Sequence, residues 1–88
     1  MRRNKQDIIY DMLIAVQSKG GNILPTHLLY KSNLSHGKMK DYLDELMSKE
    51  LLEYSQEKDK QKIAMTDKGY KFLQSLRKLR EFTDAFGI

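Results

Sequence analysis

Hydrophobic residues recur at helical spacing in four segments of this 88-residue chain. In residues 4–19 the apolar positions fall at i, i+1, i+4, i+5 and i+8, which is one face of an amphipathic helix. Asn4, with Asp7 three residues later, favours a helix start at this point, and the pair Gly20-Gly21 favours its end. The apolar residues of this predicted helix are Ile8, Ile9, Met12, Leu13 and Val16.

A second and a third helical pattern lie close together between Thr26 and Met47. Between them, Asn33 suits a turn because Asn tolerates positive φ, and the Ser35 hydroxyl can cap the helix that follows. This is the pattern of a helix-turn-helix, a motif whose second helix can enter the major groove of DNA. A helical hairpin that only packs against the core is the alternative. The apolar residues of the two predicted helices are Leu28, Leu29, Tyr30, Met39, Tyr42, Leu43, Leu46 and Met47, with Leu34 between them.

Two short alternating segments, residues 51–55 and 61–65, flank the polar run 56–60 and predict a β-hairpin. A lone hairpin is marginally stable in water, so some of its apolar side chains must pack on the helices. Residues 23–24, which Pro25 keeps extended, can add a third strand at the edge. The apolar side chains available in the hairpin are Leu52, Tyr54, Ile63 and Met65.

The last helical pattern starts at Thr66, a favourable N-cap, and Tyr70 and Leu73 in its first turns can close the core. A helix from Thr66 to Ala85 is about 30 Å long, more than so small a domain can cover. Its apolar stripe therefore predicts a homodimer interface, and folding back along the first helix is the alternative. The residues predicted for that interface are Phe72, Leu76, Leu79, Phe82 and Phe86.

The order helix, strand, helix, helix, hairpin and helix is that of a winged helix. We therefore expect a mainly α fold with a small β-hairpin: a winged helix-turn-helix domain in residues 1–68 and a C-terminal dimerisation helix in residues 69–88. An antiparallel helix pair would place the cations of one chain near the carboxylates of the other. The groups expected to meet in this way are Arg77, Lys78 and Arg80 with Glu81 and Asp84.

The segment YKSNLSHGKMKDYLDELMSKELL, followed by a hairpin and MTDKGYKFLQSL, resembles the small archaeal winged-helix proteins regarded as transcriptional regulators. The similarity extends from Arg3 to Leu76, and its sharpest parts are the Tyr-Lys-x-Asn-Leu-Ser turn and the Thr-x-Lys-Gly helix start. The resemblance implies binding of double-stranded DNA. Some relatives are chromatin-associated and dimerise through a C-terminal antiparallel coiled coil. The chain departs from the family at Glu50, where glycine is common.

Composition argues against most other classes of function. The chain has no cysteine and only two histidines, and no glycine-rich loop follows a predicted strand. We therefore expect no catalytic site, metal site, cofactor or small-molecule ligand, and no enzymatic activity. The apolar runs are too short for a membrane span, so a cytoplasmic, nucleoid-associated protein is expected.

The distribution of charge limits how the predicted recognition helix can meet DNA. Residues 35–50 hold three lysines and four carboxylates, whereas the basic excess lies near the two ends of the chain. Asp41 and Asp44 would repel phosphates if the helix lay flat in the groove, so we expect its N-terminal end to insert. Tyr42 is expected in the core rather than stacked on bases.

Residues predicted to contact DNA fall into three groups beside the lone Lys31. The first group is the turn and the start of the recognition helix, with Asn33, Ser35, His36, Gly37, Lys38 and Lys40. The second is the wing, with Lys58, Lys60 and Lys62, and the third is an N-terminal arm of Arg2, Arg3 and Lys5. The competing hypothesis is a winged-helix protein–protein interaction module without DNA binding.

Overall fold

The computed structural model describes residues 3–87, in which four helices surround a three-stranded antiparallel sheet. β3 lies at the centre of this sheet, between β1 and β2. The element order confirms the expected winged helix-turn-helix with an additional C-terminal helix. The elements are α1 Lys5–Ser18, β1 Asn22–Ile23, α2 Pro25–Ser32, α3 His36–Ser48, β2 Leu52–Glu57, β3 Lys60–Met65 and α4 Asp67–Ala85.

The apolar face of α1 forms the centre of the core. Met12, Leu13 and Val16 are fully buried, and α1 contacts α2, α4, β1 and β3. All five residues of the predicted stripe are buried. The predicted start of α1 is also confirmed, because the Asn4 side chain accepts from the Asp7 N–H at 2.8 Å and the Asp7 carboxylate accepts from the Asn4 N–H at 3.1 Å.

The turn between α2 and α3 has the conformation that its sequence predicts. Asn33 has a φ of 54°, in the left-handed region, and the Ser35 hydroxyl accepts from the Lys38 N–H at 3.3 Å. Ser32, just before the turn, is a fully buried polar residue whose hydroxyl donates to the Leu28 carbonyl at 2.6 Å. This internal hydrogen bond lets α2 pack closely at its last turn.

α3 buries the face that carries Met39, Leu43 and Leu46, while Tyr42 and Leu34 are half-buried against the same core. Tyr42 therefore packs as expected rather than standing free as a stacking platform. The opposite face of α3 is exposed along its whole length.

The wing is longer and its turn tighter than the sequence predicts. The strands continue to Glu57 and resume at Lys60, which leaves only Lys58 and Asp59 in the turn. Lys58 takes a φ of 56°, which closes the hairpin over two residues. The paired register runs from Leu52–Met65 at the base to Glu57–Lys60 at the tip.

Of the apolar side chains available in the hairpin, Tyr54 does not pack on the helices, because more than half of its surface is exposed. Its cross-strand partner Ile63 is fully buried, since it lies on the central strand and also pairs with Ile23 of β1. Tyr54 lies on the edge strand β2, beyond the region that the helices cover. Only the base of the wing, including Leu52, joins the core.

α4 starts against the loop that precedes the wing. The Thr66 hydroxyl accepts from the Gly69 N–H at 2.9 Å, which confirms the predicted cap, and donates to the Glu50 carbonyl at 2.6 Å. Glu50 itself has a φ of 61°, in the left-handed region that favours glycine. Glu50 therefore occupies a position whose backbone conformation favours the glycine that is common there in the family.

Further along, α4 makes polar contacts with both ends of α1. Arg77 donates to Gln17 at 3.0 Å and Arg80 donates to Asp7 at 2.8 Å, so two residues one turn apart on α4 contact opposite ends of α1. The Arg80 guanidinium also lies 4.2 Å from the centre of the Tyr10 ring, a cation–π contact.

Gly69 should not tolerate a methyl group. A Cβ on Gly69 would clash with the Leu51 carbonyl, which is held in place as the acceptor of the Thr66 N–H. We expect Gly69→Ala to lower the free energy of unfolding by about 1–3 kcal/mol, although alanine normally stabilises helices. Gly37→Ala is the control, because nothing lies near its added Cβ. Chemical denaturation of both variants checks this, and an unchanged or raised stability for Gly69→Ala would contradict it.

The contact between α4 and α1 should depend on pH. The Asn4 N–H and the Arg80 guanidinium, which both donate to the Asp7 carboxylate, hold its pKa below the ordinary value of 3.8. A carboxyl group whose pKa is lowered by folding stabilises the folded state above its unfolded pKa, and this contribution is lost as the pH falls through the folded value.

We therefore expect a double-mutant cycle of Asp7→Asn and Arg80→Gln to give a favourable coupling energy at neutral pH. This coupling should shrink as the pH falls below 3.8. Denaturation of the four proteins across the pH range measures it. A coupling that remains constant down to the pH of acid unfolding would contradict the assignment.

Candidate nucleic-acid interface

The turn and the first residues of α3 form an exposed edge, which we call the contact edge: Asn33, Ser35, His36, Gly37, Lys38 and Lys40. The N–H groups of His36 and Gly37 lie in the first turn, where a helix offers them no acceptor and where its dipole is positive. Among the described residues, no atom other than those of the neighbouring residues and backbone of α3 lies within 4 Å of the position that a Cβ on Gly37 would take. The edge therefore combines free donors with room for close approach.

The two lysines of the contact edge differ in their electrostatic surroundings. Lys40 donates to the Asp44 carboxylate at 3.2 Å, one turn further along the exposed face. Lys38 forms no ion pair within residues 3–87. The available positive charge is therefore concentrated at Lys38, while Asp41 and Asp44 make the later turns of α3 acidic.

The three wing lysines do not form one group either. Lys60 and Lys62 point to the outer face of the hairpin, because they alternate along β3 with positions on the face of the buried Ile63. Lys62 is half-buried and forms an ion pair with Glu57 at 3.3 Å. Lys58 lies in the turn at the tip and is exposed. The side chains best placed to meet a ligand from the wing are therefore Lys58 and Lys60.

The N-terminal cations contact the protein itself. The Arg3 guanidinium donates to Asp11 and to two backbone carbonyls at the end of α2. Lys5 forms an ion pair with Glu45 of α3 at 2.8 Å, and this ammonium group holds the pKa of the Glu45 carboxyl below its ordinary value. Arg2, the third residue of the expected arm, lies outside the described residues. Arg3 and Lys5, which were predicted to contact DNA as part of an N-terminal arm, are therefore paired with groups of their own chain.

The exposed side of α2 carries one feature that sequence inspection missed. Tyr30 is 83% exposed, although it was grouped with the apolar residues of this helix. Helical periodicity was the available signal, since a residue two positions after the buried Leu28 lies on the far side of the helix. Its neighbour Lys31, predicted to contact DNA, donates to the Ser18 hydroxyl at 3.1 Å.

The predicted dimer residues of α4 divide into buried and exposed positions. Leu76 is buried within its own chain, at a groove of about 240 Å³ that α4 forms with Gln6 and Ile9 of α1. Phe82 and Phe86 are 58% and 68% exposed, and their ring centres lie 4.8 Å apart. Phe72 and Leu79 are also exposed. The contact of α4 with α1 therefore buries Leu76 and leaves the rest of the C-terminal stripe exposed.

The charges around this stripe differ from the expected cross-chain pattern. Arg77 and Arg80, which were expected to meet carboxylates of a second chain, contact Gln17 and Asp7 of their own chain. Their contacts depend on how α4 packs against α1, which helical spacing alone does not predict. Of the three cations considered for this role, only Lys78 has no hydrogen bond within the described residues.

The described part of the chain shows neither a metal site nor a membrane-spanning helix. Residues 3–87 contain no group of three or more His, Asp or Glu side chains placed to hold a metal ion. None of their helices is long and apolar enough to cross a membrane.

Comparison with solved structures shows the same fold in DNA-binding proteins. Sso10a-2, a DNA-binding protein from Sulfolobus solfataricus, is 19% identical with a TM-score of 0.81, over 96% of this chain and 85% of that chain. F93 from STIV, a winged-helix DNA-binding protein, is 18% identical with a TM-score of 0.79, over 90% and 92%. BpsR of Bordetella bronchiseptica, whose DNA binding is regulated by 6-hydroxynicotinic acid, is 14% identical with a TM-score of 0.76, over 89% and 57%.

No curated protein sequence matches this chain significantly. At identities below 20% the structural similarities show a shared fold. The family model for the winged helix-turn-helix, however, matches residues 2–84, which is nearly the whole chain. The chain therefore belongs to the winged helix-turn-helix family, as the resemblance in its turn and its last helix predicts.

Proposed function

We propose that this protein binds double-stranded DNA, without enzymatic activity, as a transcriptional regulator or an architectural protein of the nucleoid. The observation that carries the proposal is the contact edge: a winged helix-turn-helix that presents free N–H donors, a glycine and an unpaired lysine at the start of its recognition helix. The DNA-binding proteins that share this fold support it.

In this proposal α3 enters the major groove by its N-terminal end. The first turn of a recognition helix commonly reaches the base edges, and here it carries His36, Gly37 and Lys38. Asp41 and Asp44 would be repelled by phosphates, so the later turns of α3 tilt away from the duplex. Contacts with the DNA backbone should therefore dominate over contacts with bases.

The wing supplies a second contact through Lys58 and Lys60, which would lie against phosphates flanking the groove. Together with Lys38 this gives each protomer three cations without an ion pair in the described residues. A dimer would then neutralise about six phosphates, and the logarithm of the binding constant should fall with the logarithm of salt concentration with a slope of about −5.

A gel shift at low salt on duplex DNA of random sequence tests DNA binding itself. Non-specific complexes of this class have dissociation constants of about 1–100 μM, so a shift is expected in that range of protein concentration. Absence of binding throughout it would favour the protein–protein interaction module instead.

Single lysine variants test the contact edge. We expect Lys38→Ala to weaken binding about fivefold to tenfold and to lower the salt slope by about one per lost phosphate contact. Lys40→Ala should have a smaller effect because the Asp44 carboxylate already offsets its charge. Lys49→Ala is the control, since Lys49 follows the far end of α3. Equal losses from all three variants would indicate attraction by overall charge and no recognition helix.

We further propose that the protein is a homodimer through the exposed stripe of α4, formed by Phe72, Leu79, Phe82 and Phe86. Each of these apolar side chains is exposed in the single chain, and pairing two helices would remove them from water on both copies. Leu76 would add little, because its own chain already buries it. A two-fold axis here would present two contact edges to half-sites about one helical turn apart, or a multiple of that distance.

Substitution of Phe82 tests the dimer without disturbing the core. We expect Phe82→Glu to convert the protein from twice the 10.4 kDa chain mass to a monomer, since a charge would be buried in the interface. Tyr30→Glu, at an exposed aromatic residue far from the stripe, should leave the mass unchanged. Light scattering well above micromolar concentration measures both. A monomeric mass for the unmodified protein would refute the dimer.

A further inference from the structure

Arg3 connects three segments of the helix-turn-helix. Its guanidinium donates to the Asp11 carboxylate of α1 at 2.9 Å, to the Ser32 carbonyl at 2.8 Å and to the Asn33 carbonyl at 3.1 Å. The bond to Ser32 is partly buried. A residue at the basic N-terminus is thereby attached to the turn that leads into the recognition helix.

The two carbonyls belong to the last residue of α2 and to the residue that follows it. The final carbonyls of a helix have no intrahelical donor and lie at the negative end of the helix dipole, so a cation is favourable there. Asn33 is the left-handed residue that sets the direction of the chain into α3. An arginine can donate to adjacent carbonyls and to a carboxylate at once, because its planar group carries five N–H donors in a fixed arrangement.

Asp11 completes the arrangement. Its carboxylate neutralises the guanidinium on the α1 side and holds it against the turn. The groove beside this contact is lined by Arg3, Ser35, Lys38 and Tyr42, so the contact edge begins directly next to it. The geometry therefore links the position of the first turn of α3 to an ion pair on α1.

From this geometry we infer that Arg3 is a positioning residue for DNA binding: it holds the turn so that the start of α3 is correctly placed, and it does not itself neutralise a phosphate. The inference rests on the proposed DNA binding. In this role Arg3 acts through the geometry of its hydrogen bonds, whereas a phosphate contact would require only its positive charge.

Two substitutions separate these roles. Arg3→Lys keeps the charge and loses the arrangement of donors, and Asp11→Asn removes a negative charge while releasing the guanidinium. A positioning role predicts weaker DNA binding from both variants, by about fivefold, which corresponds to one hydrogen bond. It also predicts an unchanged salt slope, because no phosphate contact is lost.

A phosphate-contact role predicts the opposite pattern. Arg3→Lys would then bind like the unmodified protein, and Asp11→Asn would bind more tightly, because a competing carboxylate is gone. Fluorescence anisotropy of a labelled duplex of about two helical turns, over a series of salt concentrations, measures affinity and slope together. Lys71→Gln, an exposed cation of α4, is the control. Binding by either test variant that equals or exceeds that of the unmodified protein overturns the inference.

Amide hydrogen exchange on the free protein tests whether Arg3 holds the turn, and it does so without DNA. The Asn33 N–H, which donates to the Tyr30 carbonyl, should exchange at least about tenfold faster in Arg3→Lys than in the unmodified protein. Amides at the centre of α1, such as that of Leu13, should not change. If the unmodified protein fails to bind DNA, the proposed function fails, and the exchange rates still decide whether Arg3 holds the turn. Unchanged exchange at Asn33 overturns the inference.

Discussion

Burial of the apolar face of α1 is the interaction on which the rest of the structure depends. Met12, Leu13 and Val16 are fully enclosed by α2, α4 and two strands of the sheet, and these contacts form most of the core. A domain of this size buries few side chains, so each contributes a large share of its stability. The recognition helix α3 adds Leu43 and Leu46 to the same core. α3 is thus held by packing on a core that need not touch DNA.

The first residues before and within α1 add three polar contacts, each with a different helix. Arg3 contacts the end of α2, Lys5 contacts Glu45 of α3, and Asp7 contacts Arg80 of α4. Exposed ion pairs of this kind contribute little free energy individually. Each contact nevertheless connects α1, or the residues just before it, to a different helix. Arg3 and Lys5, which suggested a DNA-binding arm, are thereby paired within the domain.

Local features of the structure could be predicted from the sequence, and long-range features could not. The caps at Asn4, Ser35 and Thr66 and the left-handed Asn33 follow from the chemistry of a few neighbouring residues, and all four are found. The partners of the candidate cations depend on tertiary packing, since Arg80 meets a residue near the opposite end of the chain. Sequence therefore predicted the position of the contact edge but not which of its charges remain available.

In the proposed complex the protein meets DNA with the N-terminal end of α3. Titration of isotopically labelled protein with a short duplex, followed by amide chemical shifts, tests it most directly. We expect the largest changes at residues 33–38, smaller changes at residues 58–60 in the wing, and little change at Asp44 and along the later turns of α3. Changes centred on α4 or on the acidic turns of α3, or no changes at saturating DNA, would contradict it.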